Sequence, residues 1–276
     1  MVSAIILNYL NPELTATAVQ HLTTAAAAAE ISVEVIVVDN SAPQTAEELR
    51  QLLPNDVKII ENEANKGFAA ANNQGIKEAK GEVIIIMNND LFINKKVLKA
   101  GVKYIMGHKK TGIWAPKLVG QSGNEQRSCF NFPAISDLIN EYLFNNPSHT
   151  MLSLKANAAS TPVPVDSVIG ACMFIRKKTL QEVGLFDERF FFNSEDLDLC
   201  YKLHQRGYNI IFDPTCEAVH LCSASQNNKW YQKKHLHQSR KIYWKKHYHP
   251  FKAKLAGSII AAGLMMRKFK DKALNL

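Results

Sequence analysis

Three carboxylates open one amphipathic segment of this 276-residue chain, namely Glu195, Asp196 and Asp198. With Ser194 as the N-cap they occupy the first turn of a helix, where the positive end of the helix dipole favours ionised side chains. Leucines at helical spacing further along predict that this helix is anchored in a core. Asp196 therefore stands at a rigidly backed helix mouth, which suits a general base that accepts the proton of a hydroxyl group. An acidic first turn with a structural role only is the alternative that this pattern leaves open.

Strands and helices alternate in the part of the chain that must position these carboxylates. Continuous apolar runs predict strands at residues 2–7, 33–38, 57–60 and 83–87, and Ala- and Leu-rich segments predict helices at residues 13–30, 44–53 and 68–80. Strands that are apolar throughout and alternate with helices predict an α/β fold with a mostly parallel sheet covered on both faces. Ligands of such sheets bind beyond the carboxyl ends of the strands.

A polar cluster follows each of three predicted strands, at residues 8–9, 39–41 and 88–90. Each cluster alone is weakly specific, because Asn, Asp and Ser are common in strand-ending turns, but parallel strands bring all three to one edge. Asp39 can accept a hydrogen bond from a nucleobase N–H, and Asp90 is an oxygen ligand suited to a divalent cation that bridges phosphates. No phosphate-binding loop of the P-loop type and no Gly-x-Gly-x-x-Gly follows any strand, which argues against those two enzyme classes.

Composition indicates an ordinary globular chain, with 46% hydrophobic and 21% charged residues, and one large domain or a domain with an appendage. The five cysteines are odd in number, lie mostly in apolar runs and include no Cys-x-x-Cys pair. They predict reduced, buried thiols of a cytosolic protein rather than a structural zinc site. The first apolar run is too short for a signal peptide and has no basic leader, so none is predicted.

Positive charge is concentrated in residues 226–276, which contain thirteen basic residues and one acidic residue. This segment has a net charge of +12. Because the whole chain has a net charge of +8, residues 1–225 have a net charge of −4. Aromatic residues interleave with the lysines, and a twelve-residue apolar run at 255–266 follows, shorter than the roughly 20 residues that cross a bilayer. Two interpretations stay open: a helix in the interface of an anionic membrane, or a helix packed on the rest of the chain or on a second subunit of a homodimer. No recognised nucleic-acid motif accompanies the basic residues, so no nucleic-acid partner is predicted.

An ordered series of motifs resembles the family 2 inverting glycosyltransferases of the GT-A fold. The motifs are Val-Val-Asp-Asn-Ser at 37–41, Asn-Lys-Gly-Phe-Ala-Ala-Ala-Asn-Asn-Gln-Gly at 65–75, Met-Asn-Asn-Asp at 87–90, Gly-Ala-Cys-Met-Phe-Ile-Arg at 170–176, Val-Gly-Leu-Phe-Asp-Glu-Arg-Phe-Phe at 183–191, Glu-Asp-Leu-Asp-Leu-Cys-Tyr at 195–201, and His220. The similarity is greatest to bacterial rhamnosyltransferase-like members that build cell-surface polysaccharides. It implies a Rossmann-like GT-A domain at residues 1–225, with a nucleotide-binding half (1–118) and an acceptor half (119–225), followed by a basic helical tail (226–276).

The resemblance also implies a donor site at the sheet edge. The implied nucleotide-binding residues are Asn8, Asp39, Asn40, Asn65, Gly67 and Asn88. Residues 88–90 stand where the family has an Asp-x-Asp motif, so Asp90 is the implied ligand of Mg²⁺ or Mn²⁺, and His220 is an implied second metal or diphosphate contact. Asn88 departs from the usual first Asp, because an amide keeps the hydrogen bonds and drops one negative charge, which is expected to weaken metal affinity.

For the reaction, the resemblance implies transfer of a sugar, with rhamnose as a candidate, from a dTDP- or UDP-sugar to a glycan or lipid-linked acceptor at the cytoplasmic face of the cell membrane. Asp196 is the implied base, Gly170, Ala171 and Glu195 are implied sugar or acceptor contacts, and Asp198 is expected to be structural. A non-catalytic subunit that binds nucleotide-sugars or membranes is the alternative, and Asn88 favours it.

Three further expectations concern the second half of the chain. Residues 121–161 predict a hairpin and a flexible insertion beside the acceptor. Residues 163–169 predict a single strand, after which Gly170 permits close approach of the backbone to a sugar. At least two of the three phenylalanines at 190–192 are predicted to lie in the core rather than to form a sugar platform.

Overall fold

The computed structural model describes residues 1–41, 43–144, 146, 156, 158–222 and 229–274, with the side chains of 229–234 and 268–274 excepted. The first part of the chain alternates strands and helices in the order β1 Val2–Asn8, α1 Pro12–Ala29, β2 Val33–Asp39, α2 Ala46–Leu52, β3 Lys58–Glu61, α3 Gly67–Glu78, β4 Val83–Asn88, β5 Leu91–Phe92, α4 Lys95–Gly107 and β6 Thr111–Val119. The elements that follow are β7 Cys129–Phe130, α5 Ile135–Tyr142, β8 Val163–Val165, β9 Ser167–Val168, β10 Cys172–Arg176, α6 Lys177–Val183, α7 Glu195–Gln205, β11 Asn209–His220, α8 Lys229–His247 and α9 Pro250–Leu274.

Local signals explain where the first helix begins and ends. The Asn11 side chain accepts a hydrogen bond from the Leu14 amide at 3.2 Å, and Pro12 occupies the first turn, where its missing N–H costs nothing. Glu30 ends the helix in the left-handed conformation, with φ of 57°. The helices and strands predicted in residues 1–90 are all present, with ends within about two residues of the expected ones, the usual uncertainty of helix and strand boundaries.

The strands form one mixed sheet in the order β3-β2-β1-β4-β10-β6-β11-β5, with β8 also paired to β11. The strands β3, β2, β1 and β4 run parallel, β10 is antiparallel to both β4 and β6, and β6 is parallel to β11. Alternate residues of β1 enter two cores, since Ala4 and Ile6 pack with α1 and α4 while Ile5 packs with α3. The predicted α/β class, with helices on both faces of a central sheet, is confirmed.

The prediction of a single strand over residues 163–169 is wrong. Two short strands replace it, because Asp166 interrupts the run and its carboxylate accepts a hydrogen bond from the Phe132 amide at 2.9 Å. The strand β8 pairs with β11 in the main sheet, whereas β9 pairs with β7 in a separate two-stranded sheet.

The segment predicted as a hairpin and insertion contains more regular structure than expected. A tight turn follows β6, in which the Gly120 amide donates to the Asn124 oxygen at 2.8 Å, and Val119 bridges Glu125 in antiparallel fashion. The helix α5 then follows, which sequence patterns did not indicate. Residues 145, 147–155 and 157 of the predicted insertion lie outside the described part of the chain.

The helices α8 and α9 pack on the body of the protein through one apolar cluster. Tyr243 and Trp244 of α8, and Ala256 and Ile260 of α9, are almost fully buried. The cluster also contains Leu138 and Tyr142 of α5, and Phe190. None of the described helices is long and apolar enough to cross a membrane. One face of the basic tail therefore packs on the body of the protein.

Alanine at Gly263 should destabilise the protein, because its Cβ would lie 2.5 Å from the backbone oxygen of Tyr142 and push α9 away from α5. Gly257 is the matched control, since no described atom lies within 4 Å of a Cβ added there, and alanine at a compatible helix position stabilises by about 0.5–1 kcal/mol. In urea denaturation we expect Gly263→Ala to lower the free energy of unfolding by about 1–3 kcal/mol, as overpacking does. Equal stability of the two variants would contradict the packing of α9 on α5.

Candidate functional site

The three polar clusters after the strands meet at one edge of the sheet, as the alternating pattern predicts. In the parallel register Asn8 lies opposite Asp39, and Leu7 lies opposite Asn88. The Thr15 hydroxyl donates to the Asn8 side-chain oxygen at 2.7 Å and accepts from the Asn89 amide at 3.1 Å. These two bonds connect the cluster at the end of β1 to the cluster at the end of β4.

Asp39 is fully buried and heavily hydrogen-bonded. Its Oδ1 accepts from Asn8 Nδ2 at 2.9 Å, from the Ser41 hydroxyl at 2.8 Å and from the Thr45 hydroxyl at 2.9 Å, while Oδ2 accepts from Thr45 at 2.9 Å. A carboxylate offers about four acceptor positions, and Oδ2 has capacity for a further donor. The predicted contact of Asp39 with a nucleobase therefore requires that a ligand N–H share this carboxylate with the two hydroxyl groups.

The loop before α3 is built on Asn40 and Asn65. Asn40 Nδ2 donates to Asn65 Oδ1 at 2.8 Å, and that oxygen also accepts from the Gly67 amide at 2.8 Å. Gly67 has φ of +83°, and an added Cβ there would overlap the backbone oxygen of Phe191. Because the Phe68 amide donates to the same oxygen at 3.0 Å, this loop is joined directly to the segment that leads into α7.

His220 closes the same edge beside Asp90 and Asn88. His220 Nε2 lies 3.3 Å from Asp90 Oδ1 and 3.4 Å from Asn88 Nδ2. Gln126 Nε2 donates to the His220 backbone oxygen at 2.6 Å, which turns Gln126 Oε1 toward His220 Nδ1 at 2.8 Å. With its amide held in this orientation, Gln126 accepts from Nδ1–H, and Nε2 is the ring nitrogen that faces Asp90 and Asn88.

These donors fit a hard or borderline divalent cation that shares its coordination with a ligand. A carboxylate oxygen and an imidazole nitrogen lie side by side, and Mg²⁺ or Mn²⁺ in phosphate sites takes one or two protein ligands and completes its shell with phosphate oxygens and water. Within the described residues no group of three or more His, Cys, Asp or Glu side chains is arranged to hold a metal by itself. The edge could therefore hold a cation only together with a bound ligand.

The turn that leads into α7 is strained. Ser194 is the N-cap and the three carboxylates lie in the first turn, as predicted, but the Ser194 side chain does not cap the helix. Asn193 and Ser194 both lie in the left-handed region, with φ of 67° and 70°, and the Ser194 side chain makes no capping hydrogen bond. Its backbone oxygen instead accepts from the Asp198 amide at 2.9 Å. Consecutive left-handed non-glycine residues are unfavourable and persist only where surrounding contacts hold them.

Asp196 is held by two backbone amides at this helix mouth. Its Oδ2 accepts from the Gly170 amide at 3.0 Å, and its Oδ1 accepts from the Leu197 amide at 2.7 Å. A Cβ at Gly170 would lie 3.0 Å from the Phe68 ring, so a larger residue would crowd the approach to Asp196. Burial raises the pKa of Asp196, and the two amides oppose this only in part. The carboxylate is thus both oriented and made more basic.

Glu195 is buried, with 6% of its surface exposed, and its Oε2 has no hydrogen-bond partner among the described residues. Burial raises its pKa well above the ordinary value, and the adjacent Asp196 raises it further. A carboxyl group in such surroundings holds its proton to higher pH. Glu195 and Asp196 therefore differ in protonation tendency although they are neighbours.

The other predicted site residues occupy supporting positions. The Ala171 backbone oxygen accepts from the Asn88 amide at 3.0 Å, which ties the residues after β9 to the end of β4. Phe190 is buried, but Phe191 and Phe192 are half-buried, so the prediction that at least two of the three lie in the core is wrong. Both residues belong to the segment before α7, where the Phe191 oxygen accepts from the Phe68 amide and the Phe192 oxygen accepts from the Ser239 hydroxyl.

Sequence reasoning missed several residues of this site. Thr15 in the first turn of α1 and Thr45 at the N-cap of α2 bind the polar clusters, and a hydroxyl residue near the start of the helix that follows each cluster was a signal that could have identified them. Gln126 lies in the segment that was hardest to interpret and gave no signal. Lys246 and His247 of α8 contact the fully buried Asp198, and no local pattern connects them to it.

Two family models match the chain. The model described as Glycosyl transferase family 2 matches residues 3–184, and the model described as Glycosyl transferase family group 2 matches residues 133–266. Together they cover the sheet edge, the segment around Asp196 and most of the two tail helices.

Two named glycosyltransferases are similar to about two thirds of the chain or more. The low-salt glycan biosynthesis hexosyltransferase Agl10 of Haloferax volcanii is 28% identical over 194 residues, which cover 68% of this chain and 58% of that protein. The N-acetylglucosaminyl-diphospho-decaprenol L-rhamnosyltransferase of Mycobacterium tuberculosis is 26% identical over 210 residues, which cover 70% of this chain and 68% of that protein. The chain thus spans a little over half of the haloarchaeal protein.

Among solved structures, the mannosyltransferase PcManGT from Pyrobaculum calidifontis, in complex with GDP-Man and Mn²⁺, is similar in fold. Its TM-score is 0.62 at 20% identity, over 96% of this chain and 74% of that chain. This likeness agrees with the fold predicted from the motif series.

Glu195 should make the protein less stable as the pH rises. Because its pKa is raised on folding, the folded protein keeps a proton that the unfolded chain releases near its ordinary pKa of 4.5, so stability is lost as the pH climbs from there toward the folded pKa. Glu195→Gln removes the titrating group, and Glu63→Gln, at an exposed position, controls for the change in charge. Urea unfolding between about pH 5 and pH 8 should show wild type losing up to about 1.4 kcal/mol per pH unit relative to Glu195→Gln. A difference that is flat with pH would contradict the raised pKa.

Proposed function

Because this chain belongs to glycosyl transferase family 2, we propose that it transfers a sugar from a nucleoside diphosphate to a hydroxyl group of a glycan or lipid-linked acceptor, with inversion at the anomeric carbon. The observation that carries this proposal is the placement of Asp196, which two amides orient at the helix mouth and whose pKa burial raises. A general base needs both a fixed position and a suitable basicity.

In the proposed reaction the acceptor oxygen attacks the anomeric carbon from the face opposite the diphosphate. The new carbon–oxygen bond forms as the bond to the diphosphate breaks, and the nucleoside diphosphate leaves with the bonding electrons. Asp196 takes the proton of the acceptor hydroxyl as that bond forms. A single displacement of this kind inverts the anomeric configuration. Glu195, whose carboxyl group keeps its proton to higher pH because burial and Asp196 raise its pKa, is the proposed hydrogen-bond donor to a sugar or acceptor oxygen.

The donor nucleotide is proposed to lie along the edge formed by the ends of β1, β2 and β4. Asp39, with Asn8 and Asn40 beside it, would contact the base of a dTDP- or UDP-sugar, and the loop of Asn65 and Gly67 would follow the nucleotide. This edge is where open α/β sheets bind ligands. Gly170, whose amide donates to Asp196, and the adjacent Ala171 are the proposed contacts of the sugar.

Asp90 and His220 are the residues that would hold a divalent cation at the diphosphate, with Asn88 next to them. A bound Mg²⁺ or Mn²⁺ would neutralise the charge that develops on the leaving group. The solved mannosyltransferase complex contains Mn²⁺ together with its nucleotide-sugar, which supports this assignment. The hydrogen bond of Gln126 to His220 Nδ1 fixes the imidazole in the orientation that such a ligand requires.

Rhamnose is the proposed first candidate for the transferred sugar, and a lipid-diphosphate-linked glycan for the acceptor. The name of the mycobacterial relative gives L-rhamnose as the transferred sugar and N-acetylglucosaminyl-diphospho-decaprenol as the acceptor. We also propose that residues 1–225 form one domain, with a nucleotide-binding half (1–118) and an acceptor half (119–225). The second family model, which runs across residue 225, and the packing of the tail on α5 both favour counting the tail with the acceptor half.

The outer face of α9 is proposed to bind an anionic membrane from the cytoplasmic side. The apolar residues Phe251, Leu255, Met265 and Met266 are 74%, 41%, 60% and 46% exposed. Their spacing places them on one side of the helix, next to the buried face. Exposed lysines at 252 and 254 flank this side. An exposed apolar stripe with basic flanks is typical of helices that lie in a membrane interface.

Asp196→Asn should reduce transfer by on the order of 10²-fold or more, because an amide cannot take the acceptor proton, while nucleotide affinity is nearly unchanged. The single amide oxygen can accept from only one of the Gly170 and Leu197 amides, so thermal unfolding of the variant is measured alongside. Asp56→Asn, at an exposed position, is the matched control. Single-turnover transfer and calorimetric nucleotide binding give the two readouts. Turnover near that of wild type would remove Asp196 from the role of base.

A non-catalytic subunit that binds nucleotide-sugars is the second candidate function, and Asn88 in place of the usual acidic residue is the observation that favours it. Wild-type protein that binds a nucleotide-sugar tightly, yet neither hydrolyses nor transfers the sugar with any tested cation and acceptor, would support this candidate over the enzyme.

Asp90→Ala should abolish the effect of added Mn²⁺ or Mg²⁺ on nucleotide affinity, since the carboxylate that meets the cation is lost. Gln126→Leu should weaken the apparent cation affinity by about 10–100-fold, the usual effect of removing the partner that orients a ligating histidine. Nucleotide titrations at graded cation concentrations measure both, with Asp56→Ala as the control. An unchanged cation dependence in Asp90→Ala would place any cation elsewhere.

The double variant Phe251→Ser/Leu255→Ser should lose binding to vesicles that contain anionic lipid, because the apolar stripe no longer inserts. Leu52→Ser, which removes an apolar side chain of similar exposure (43%) from α2, is the control and should bind as wild type does. Binding in sedimentation assays should also weaken when salt is raised well above about 0.1 M, where the Debye length is about 10 Å. Vesicle binding that neither the double variant nor salt reduces would contradict the proposed membrane surface.

A further inference from the structure

The ammonium group of Lys246 joins two carboxylates on either side of the strained turn before α7. Lys246 Nζ lies 2.6 Å from Asp187 Oδ2 and 2.7 Å from Asp198 Oδ1. Asp187 precedes the left-handed residues Asn193 and Ser194, and Asp198 follows them. A cation from the tail thus connects the beginning of this segment to the first turn of the helix that carries Asp196.

Asp198 depends on these tail residues because it is completely removed from solvent. His247 Nε2 lies 2.6 Å from Asp198 Oδ1, and Lys202 Nζ, from the same helix as Asp198, lies 3.7 Å from Oδ2. A buried carboxylate is tolerated only when cations and hydrogen-bond donors surround it. The largest share of that surrounding comes from α8.

The tail holds the turn at further points. The Ser239 hydroxyl of α8 donates to the Phe192 backbone oxygen at 2.9 Å, and Lys246 Nζ lies 5.8 Å from the centre of the Phe190 ring. Unfavourable backbone conformations persist only where the surroundings hold them from several sides. The contacts from α8 provide this for Asn193 and Ser194, which set the direction of Glu195 and Asp196.

The charge of Asp198 also reaches Glu195, the neighbour of the proposed base. Asp198 is among the groups that raise the pKa of Glu195, and Glu195 and Asp196 are adjacent. Lys246, which touches Asp198 directly, offsets that negative charge. The position and the charge of the tail lysine therefore both bear on the helix mouth.

We propose that Lys246, with His247 beside it, is a positioning residue for sugar transfer: by binding Asp187 and Asp198 it fixes the strained turn and balances the charge next to the Asp196 base. This proposal rests on the proposed function of Asp196. It assigns the basic tail a part in the reaction in addition to any role at a membrane, because α8 contacts both the segment before the proposed base and the helix that carries it.

The charged and titratable groups that face Asp198 define the test. From α8 they are Lys246, His247 and Tyr243, from α7 itself they are Lys202 and Tyr201, and from the preceding loop they are Asp187 with its partner Arg189. Lys246→Met removes the bridging charge and keeps most of the length of the side chain. Lys246→Arg keeps the charge, and Lys245→Met removes an exposed lysine of the same helix and serves as the matched control.

The experiment measures kcat, kcat/KM and nucleotide affinity across pH for these variants. In Lys246→Met, the uncompensated Asp198 should raise the pKa of the base, so the acid limb of the kcat/KM profile should move to higher pH by on the order of one unit. At neutral pH, kcat should fall by about 10-fold or more, with nucleotide affinity within about twofold of wild type. Lys246→Arg should recover most of the activity, and Lys245→Met should match wild type.

Asp198→Asn provides a test in the opposite direction and replaces Lys246→Met if that variant does not fold. Removing the negative charge should lower the pKa of the base, so the acid limb should move to lower pH. An acid limb that stays in place in both variants, even with a lower thermal stability, would overturn the proposal and leave the tail a merely structural support. The control Asp196→Asn separates this proposal from the proposed function. If Asp196→Asn keeps its turnover, the assignment of Asp196 as the base fails. If Asp196→Asn is inactive but the pH profiles of Lys246→Met and Asp198→Asn are not shifted, only the positioning role is overturned.

Discussion

The in-register parallel pairing of β1 with β2 and β4 is the interaction on which the candidate site depends. It places Asn8 opposite Asp39 and Leu7 opposite Asn88, so the polar residues that end these strands emerge at one edge. Because side chains alternate between faces, a shift of one residue in any of these strands would turn its polar end away from the others. The apolar cores on both faces of the sheet, which accept Ala4 and Ile5 on opposite sides, prevent such a shift.

The first turn of α7 contains three acidic side chains within four positions, and the protein accommodates each of these buried carboxyl groups in a different way. Asp198 is surrounded by Lys246 and His247 of the tail and by Lys202 of its own helix. Asp196 accepts hydrogen bonds from two backbone amides, and Glu195 has its pKa raised so that it retains a proton more readily. Three equally ionised carboxylates at this spacing would repel one another strongly in a site of low dielectric constant. The differences among them allow neighbouring acidic residues to have different parts in one reaction.

The tail serves two surfaces at once. The inner sides of α8 and α9 bury Tyr243, Trp244 and Ile260 against α5 and reach the Asp198 site, whereas the outer side of α9 exposes an apolar stripe. Some residues of the twelve-residue apolar run therefore lie in the core and others on the surface. The length of the run alone predicts neither packing nor membrane binding. Because α8 contacts the segment before Asp196 and α9 carries the stripe, the proposed membrane surface and the surroundings of the proposed base belong to one packed unit.

The sequence by itself determined the alternation of strands and helices, the polar strand ends and the acidic start of α7, because these depend on residue periodicity and on neighbours close in the chain. Only the tertiary structure decided which distant residues complete the site. Gln126 meets His220 across 94 residues, and Lys246 meets Asp198 across 48. The division of residues 163–169 into two strands likewise follows from the contact of Asp166 with Phe132, 34 residues away. Side-chain contacts between segments so far apart leave no spacing or period in the sequence, since any of many polar residues could satisfy the same buried partner, and only the packing of the folded chain selects one.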